Sequence, residues 1–291
     1  MKKLFLLVAV SLLVAGCSKE KVQNPTTRFA EVNVHFNDFS ISQEEFPSKN
    51  EENPASYFTK VALILAFYNA EGTEVYKATQ IEGDGSYTSF GQFTATLQVG
   101  TYTMVAVAYA YSDGDEFTLM SPTSAAYTNE RPRETFCATQ SVTVTSASPL
   151  NLSVTLNRIS SWLCIQSTDP RPAGIAKLRT TYAKGGKSFN PTTGLATTDA
   201  GFTQTNTPSA AVGSTVMVSS FPLLFTDEEN INVTIEVLDA SNNVLSSHTV
   251  EDVPFKRNRK TTLTGALFTA PTSSSAFQLN TDWLPGSEIT F

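Results

Sequence analysis

Apolar and polar residues alternate with a period of two along much of this 291-residue chain, and that period confines it to β-structure. Ala30, Val32, Val34 and Phe36 alternate with Glu31, Asn33 and His35. Leu150, Leu152, Val154 and Leu156 alternate with Asn151, Ser153 and Thr155, and Ile231, Val233, Ile235 and Val237 with Asn232, Thr234 and Glu236. Successive side chains of a strand point to opposite faces, so each run predicts a strand with one face in a core and the other in solvent. Val61–Tyr68 and Tyr102–Tyr111 are apolar on both parities, which predicts central strands covered on both faces.

Turn chemistry separates these runs. Asn69-Ala70-Glu71-Gly72, Gly83-Asp84-Gly85, Asp113-Gly114-Asp115, Lys184-Gly185-Gly186 and Asp239-Ala240-Ser241-Asn242-Asn243 are rich in residues that accept the positive φ of tight hairpins. No stretch of twelve or more residues repeats apolar positions at helical spacing between caps, so helices should be short and few. The expected fold class is all-β, built as antiparallel β-sandwich. The length suits two domains of about 100 to 150 residues, and 41% apolar residues are enough for two cores. The boundary is expected near Asn157, where the strand Leu150–Leu156 ends and Arg158–Leu163 begins another. That gives one sandwich over residues 29–156 and a second over 157–291. Asn37–Ser56, with four glutamates and two prolines, reads as an exposed loop. Pro271–Ser275 sets off a terminal hairpin made of Phe277–Trp283 and Glu288–Phe291.

Constellations that could carry catalysis are missing from the sequence, so no catalytic residue, cofactor or metal is assigned and the chain is not expected to be an enzyme. His35 and His248 are the only histidines; each alternates with apolar strand neighbours, lacks a second ligand at metal spacing, and is expected to be a solvated strand residue. Gly186-Lys187-Ser188 imitates the end of a phosphate loop, but Thr181 stands where the first glycine is needed, so a hairpin turn is the better reading. Asp113-Gly114-Asp115-Glu116 and Asp227-Glu228-Glu229-Asn230 offer oxygen ligands without the alternation of a calcium loop. Trp162 and Trp283 stand beside apolar strand residues and read as core, not as a platform for sugars.

The N-terminus has a different grammar. Two lysines precede an unbroken apolar run from Leu4 to Ala15, which closes on Val14-Ala15-Gly16-Cys17 and gives way to polar residues. The run is too short to span a bilayer and ends in small residues, so residues 1–16 read as an export signal. Leu13-Val14-Ala15-Gly16-Cys17 resembles the lipobox of bacterial lipoproteins, in which Cys17 would carry the lipid and residues 17–28 would link it to the first strand. Ser18 is not the aspartate that often favours inner-membrane retention, which points to the outer membrane. Removing residues 1–16 takes away Lys2 and Lys3 and moves the formal charge from −7 to −9. The only dense basic cluster, Lys256-Arg257-Asn258-Arg259-Lys260, is five residues long, so nucleic acid is not an expected partner. An exported compartment permits a disulfide between Cys137 and Cys164; a cysteine on the apolar face of a strand serves equally as a small hydrophobe, and two cysteines leave both readings open.

The order of elements resembles one family. After the lipobox and the alternating first strand come Lys60-Val61-Ala62-Leu63-Ile64-Leu65-Ala66-Phe67-Tyr68-Asn69-Ala70-Glu71-Gly72 and Leu97-Gln98-Val99-Gly100-Thr101-Tyr102. Val154-Thr155-Leu156-Asn157-Arg158-Ile159 stands at the junction, and Val253-Pro254-Phe255-Lys256-Arg257-Asn258-Arg259-Lys260-Thr261-Thr262-Leu263-Thr264-Gly265 near the end. The sequence is similar to the fimbrillin-type lipoproteins of type V pili, and within them to the fimbrillin-associated anchor branch. The resemblance implies two tandem transthyretin-like β-sandwiches, an outer-membrane lipid anchor, a cell-surface fimbrium, and other fimbrillin-like subunits as partners. It further implies assembly by β-strand complementation, for which Ala30, Val32, Val34 and Phe36 of the first strand and Phe277, Leu279, Ile289 and Phe291 of the terminal hairpin are the candidates. Stalk subunits of the family carry an arginine after the first strand, where a protease removes that strand. Here no arginine lies between Arg28 and Arg131, and the nearest basic residue after the strand is Lys49. An uncleaved strand suits a base-anchoring subunit. The alternative is a surface lipoprotein that binds a glycan or a protein without polymerising.

Overall fold

A computed structural model describes residues 28–36, 60–114, 117–129, 131–145, 148–269 and 278–280. Its first half runs β1 (Phe29–Phe36), β2 (Lys60–Tyr68), β3 (Glu74–Ile81), β4 (Gln92–Gln98), β5 (Gly100–Tyr111), β6 (Phe117–Ser121), β7 (Ser124–Tyr127), β8 (Thr135–Val144), β9 (Leu150–Val154) and β10 (Asn157–Arg158). The second half runs β11 (Trp162–Ser167), β12 (Lys177–Tyr182), β13 (Ser188–Asn190), β14 (Leu195–Ala196), β15 (Phe202–Asn206), β16 (Met217–Ser220), β17 (Glu228–Leu238), β18 (Val244–Lys256), β19 (Lys260–Gly265) and β20 (Gln278–Asn280). No helix occurs among the described residues, as the absence of a 3.6-residue period requires.

The two halves repeat one topology. In the first, a three-stranded sheet β4-β1-β9 faces a sheet ordered β10-β8-β5-β2-β3; in the second, β16-β11-β19 faces β15-β12-β17-β18. In each of these sheets the half's first strand lies between an antiparallel neighbour (β4, β16) and a parallel one (β9, β19). Each facing sheet has the same antiparallel core, β3-β2-β5-β8 matching β15-β12-β17-β18. The alternation read from the sequence places its apolar members inside. Val32, Val34, Leu63, Leu65, Phe93, Met104 and Val142 fill the first core, and Leu163, Ile165, Ile231, Val233, Ile235 and Val253 the second. The chain passes between the sandwiches just after β10. Ile159 N–H still donates to the Thr135 carbonyl at 2.9 Å, whereas Trp162 N–H donates to that of Arg259 at 2.9 Å. The single strand expected over Arg158–Leu163 is therefore broken, because its two ends pair with different sheets.

A fifth sheet joins the halves. It is ordered β14-β13-β7-β6, with β6 and β7 inserted between β5 and β8, and β13 and β14 between β12 and β15. Phe189 pairs with Ala125 across the seam, and Tyr127 N–H donates to the Lys187 carbonyl at 2.9 Å. This sheet covers the outer face of β2 and β5, where Ala62, Ile64, Ala66, Val105 and Val107 pack with Leu119, Ala125, Tyr127 and Phe189. The continuous apolar runs of β2 and β5 thus have a core on each side, as their composition predicts. An aromatic cluster seals the join: Tyr109, Phe117 and Tyr127 lie 4.8 to 5.8 Å apart, and Phe117 stacks on Phe189 at 6.0 Å. Gly194, at φ +70°, turns the chain between β13 and β14, and a Cβ there would sit 2.6 Å from Ile159 Cγ2.

Cys137 and Cys164 form no disulfide and both are buried, the first beneath the bridging sheet and the second beside Trp162. Burial pushes the Cys137 thiol up to about 12, against a smaller opposing effect of Arg257. Of the two readings left open, these cysteines are small hydrophobes.

Candidate assembly surfaces

The first strand is held on every side. Ala30, Val32, Val34 and Phe36 are buried, and Val32 and Val34 have no exposed surface. In register, Val32 lies between Ala95 of β4 and Leu150 of β9, and Val34 between Phe93 and Leu152. Phe36 meets the Phe93 ring edge-on at 5.9 Å, and its N–H donates to the Gly91 carbonyl at 3.0 Å. On the solvent face Asn33 Nδ2 donates to Asn151 Oδ1 at 3.2 Å and Thr94 Oγ1 donates to Asn33 Oδ1 at 2.9 Å, so one asparagine ties β1 to both neighbours. β1 therefore fills a slot bounded by two strand edges and floored by core side chains of the facing sheet, among them Leu63, Leu65 and Met104. An empty slot of this kind would expose a ladder of backbone donors and acceptors beside an apolar groove, which is what an incoming strand recognises. β11 occupies the matching slot of the second sandwich.

At the other end of the chain, β20 pairs antiparallel with β19, Leu263 opposite Leu279. This adds a fourth strand to the sheet built on β11, whereas no described strand covers the matching outer edge of β9. Leu279 thus lies in a strand on its own molecule. Phe277, Ile289 and Phe291, the candidate lipid site Cys17, and the loop Asn37–Ser56 lie outside the described residues.

The exit of the chain from β19 is fixed by a residue that the sequence does not single out. Asp169 accepts from the N–H groups of Leu267, Phe268 and Thr269 at 2.8 to 2.9 Å, and from Thr269 Oγ1 at 3.0 Å. Partial burial acts to raise its pKa, but those four hydrogen bonds together outweigh it and hold the carboxyl below its ordinary value. Its partners stand 98 to 100 residues away along the chain, so no local motif could have marked it.

The remaining expectations divide. His35 is exposed, as expected. His248 is not solvated: it is buried, with Nε2 at 3.0 Å from the Leu267 carbonyl, because its parity in β18 faces the interior beside Ser246. Trp162 is core, its Nε1–H donating to Ser219 Oγ at 3.0 Å and the Lys260 ammonium lying 4.2 Å above its ring; Trp283 lies outside the described residues. Gly186-Lys187-Ser188 is a bend leading from β12 into the bridging sheet, and not a hairpin turn, because β13 pairs with β7 instead of with β12. The acidic run at 227–229 is engaged by the protein itself. Asp227 pairs with Arg257, Glu228 with Lys256 at 3.0 Å, and Glu229 accepts from Phe225 N–H at 2.7 Å. No group of three or more His, Cys, Asp or Glu side chains fit to hold a metal occurs among the described residues.

Comparison with known proteins places these features in context. The family described as "Family of unknown function (DUF6562)" matches residues 20–283. No curated protein matches the chain. Among solved structures, a candidate adhesin from Bacteroides ovatus superposes with a TM-score of 0.50 at 10% identity, over 82% of this chain and 88% of its own. A candidate polysaccharide-binding protein (DUF1812) from Bacteroides thetaiotaomicron gives 0.50 at 12% identity, over 89% and 99%. The fimbrial anchor protein Mfa2 from Porphyromonas gingivalis gives 0.48 at 12% identity, over 88% and 99%. At these identities what is shared with the first two is the fold.

Proposed function

The chain belongs to the DUF6562 family of unknown function, and on that premise we propose that it is a lipid-anchored surface protein at the base of a fimbria, or a minor subunit of one, that assembles by β-strand complementation. The observation that carries this reading is the slot in the first sandwich and its occupant. β1 is central to its sheet, bonded along both edges, and follows directly on the linker from Cys17. No arginine follows it before Arg131, so the processing that opens the slot in related stalk subunits has no matching position. A slot filled by its own strand cannot accept one from another subunit, and such a chain ends a polymer on that side. A lipid on the same end makes that terminus the cell-proximal one.

Anchoring strength and geometry agree with the role. Each buried methylene contributes ~0.8 kcal/mol, so two or more acyl chains on Cys17 would hold the protein for its lifetime. The twelve residues from Cys17 to Arg28 reach at most roughly 40 Å, which keeps the first sandwich close to the membrane. The outward surface is then the second sandwich with its C-terminal segment, the part left to meet a following subunit.

The test is where fibres go when the lipid is lost. Cys17→Ala should leave the fold intact, move the protein from the membrane fraction to the soluble one, and release fibres from the cell into the medium. Fibres that stay on the cells at wild-type density would remove the anchor role, and a variant still membrane-bound after a carbonate wash would remove the lipid.

A further inference from the structure

The segment that follows Cys17 delivers the chain to one end of the first sandwich. β1 begins there at Phe29, opposite Gln98 at the close of β4, and Val99 N–H donates to the Arg28 carbonyl at 2.8 Å. Val99 is the corner at which the chain crosses from the three-stranded sheet, through β4, to the facing sheet, through β5. The second sandwich leaves from the opposite end. β9 runs parallel to β1, from Leu150 opposite Val32 to Val154 opposite Phe36, and continues through β10 into β11. Along the eight residues of β1 the two ends stand roughly 23 Å apart, at about 3.3 Å per residue.

Two large apolar side chains are exposed at this end, Phe29 at 53% and Val99 at 38%. Phe29 has the outward parity of β1, since Ala30 and Val32 belong to the core, and Val99 stands beyond Leu97, the last core residue of β4. Single apolar residues on a surface need no explanation, but these two lie on paired segments at one corner. Among the described residues beside them, neither Gln98–Thr101 nor 143–149 carries a charge, and Arg28 is the charged neighbour. That is unusual in a chain with 27 acidic residues against 20 basic ones. Acids stand farther off. Glu31 is two residues along β1, roughly 7 Å from the level of Phe29. Glu71 and Glu74 belong to the turn between β2 and β3, where Glu74 pairs with Lys77 at 3.4 Å.

We propose that this end is a membrane-contact face, with Phe29 and Val99 seated in the interface of the bilayer that holds the lipid on Cys17. The contact presupposes that lipid and goes beyond it. Only twelve residues, Cys17 to Arg28, separate the acyl chains from Phe29, so the bilayer surface is the apolar partner kept within reach. A short tether makes docking intramolecular, at an effective concentration on the order of millimolar. A contact too weak to hold a free protein is then occupied most of the time. Aromatic and aliphatic side chains at the acyl boundary with an arginine at headgroup depth are what such an interface accepts, and carboxylates would oppose it. The consequence is directional. With this end on the membrane, β1 leads away from it and the second sandwich is carried outward, so the lipid sets distance and the apolar corner sets orientation.

The test uses the full-length protein, lipidated on Cys17, in vesicles of phosphatidylcholine and phosphatidylethanolamine. Val99→Cys gives a single site for a thiol-directed fluorophore, because the lipid blocks Cys17 and burial protects Cys137 and Cys164. Leu245→Cys carries the same probe as a control. β18 ends at Lys256, near the entry of Trp162 beside Arg259, so Leu245 at its start lies at the far end of the second sandwich. Spin-labelled lipid should quench the probe at position 99 and not the one at 245. Adding Phe29→Ser should cut the quenching at 99 about twofold or more while melting holds, since half of that ring already faces solvent. Phe29→Ala stands in should serine disturb the strand. Flotation with the vesicles separates the two readings. A protein that floats with the probe at 99 quenched no more than that at 245 keeps its lipid and overturns the contact; one that does not float overturns both. Quenching that neither Phe29 variant reduces would belong to the fluorophore and overturn the contact. A signal at 99 that follows protein concentration and ignores the spin-labelled lipid would place a second copy on this face, and would overturn it as well.

Discussion

Asp169 shows how much one side chain contributes when its partners are backbone N–H groups. A carboxylate accepting three of them closes a short loop around the chain as it leaves β19, immediately before the segment that ends in β20. Asp169→Asn keeps the shape and one acceptor but removes the charge and turns the other oxygen into an NH2 donor facing a backbone N–H, so it should cost about 1 to 2 kcal/mol, discounted because the site is partly exposed. The pH dependence follows from the lowered pKa. A carboxyl whose folded value is below its unfolded one adds stability that is present above the ordinary carboxylate range and is lost as pH falls through the folded value. Melting curves of wild type and variant should therefore differ at neutral pH and converge in acid; a gap that persists at pH 2 would assign the effect to packing. Where residue-level reading went astray, it did so at His248. A place in β18 between Ser247 and Thr249 shows that the ring belongs to one face but not which face is inside, and the Leu267 carbonyl that it meets comes from 19 residues on.

Among the elements, β1 is the most legible and also the most consequential. Its alternation was visible in eight residues, and the buried set is the one the period predicts. Each valine buried there contributes about 2 kcal/mol, and a carboxylate in its place would be enclosed without a partner. The double variant Val32→Asp, Val34→Asp should unfold the first sandwich, seen as loss of its share of the β-sheet signal in circular dichroism. A variant that stays folded with wild-type melting would mean the core closes without β1. Mass spectrometry of surface-extracted protein should find β1 still attached; a mature N-terminus within Asn37–Ser56 would replace the proposed anchor role with that of a processed stalk or tip subunit. The C-terminal segment is subtler, because β20 contributes only three residues to a sheet edge. Short strands at an edge are marginal, and such a segment exchanges easily between its own edge and a neighbour's. Deleting residues 276–291 should leave melting nearly unchanged while abolishing recruitment of the next subunit. A large loss of stability would show that the segment belongs to its own core.

At the scale of the whole molecule, the bridging sheet decides how the halves behave. Two sandwiches joined by a linker would unfold separately, but here strands from both build one sheet over the back of β2 and β5. Arg158 sits beside the join: its Nε lies 2.8 Å from Glu134 Oε1 within the first sandwich, both side chains 9% exposed, and its Nη1 donates across to Asn258 Oδ1 of the second at 2.6 Å. Calorimetry of the wild type should show one transition. Phe189→Ala removes the fully buried ring at the seam at a cost of about 3 to 5 kcal/mol and should split that transition into two. Two transitions already in the wild type would contradict the coupling.

The sequence by itself determined what alternation and turn chemistry can encode: the β class, the positions of the main strands, the apolar sets of both cores, and the double covering of β2 and β5. These are local properties, since a strand's two faces are set by the parity of its own residues. The tertiary structure alone decided what lies against each face. The bridging sheet is made of strands two to five residues long, too short to carry a period, and β7 and β13 meet across about sixty residues of chain. Asp169 stands 98 to 100 residues from the backbone groups it holds, and it is an unremarked acid until the fold brings them together. Pairing at such separations is selected by the free energy of the complete packed chain, which no single segment contains.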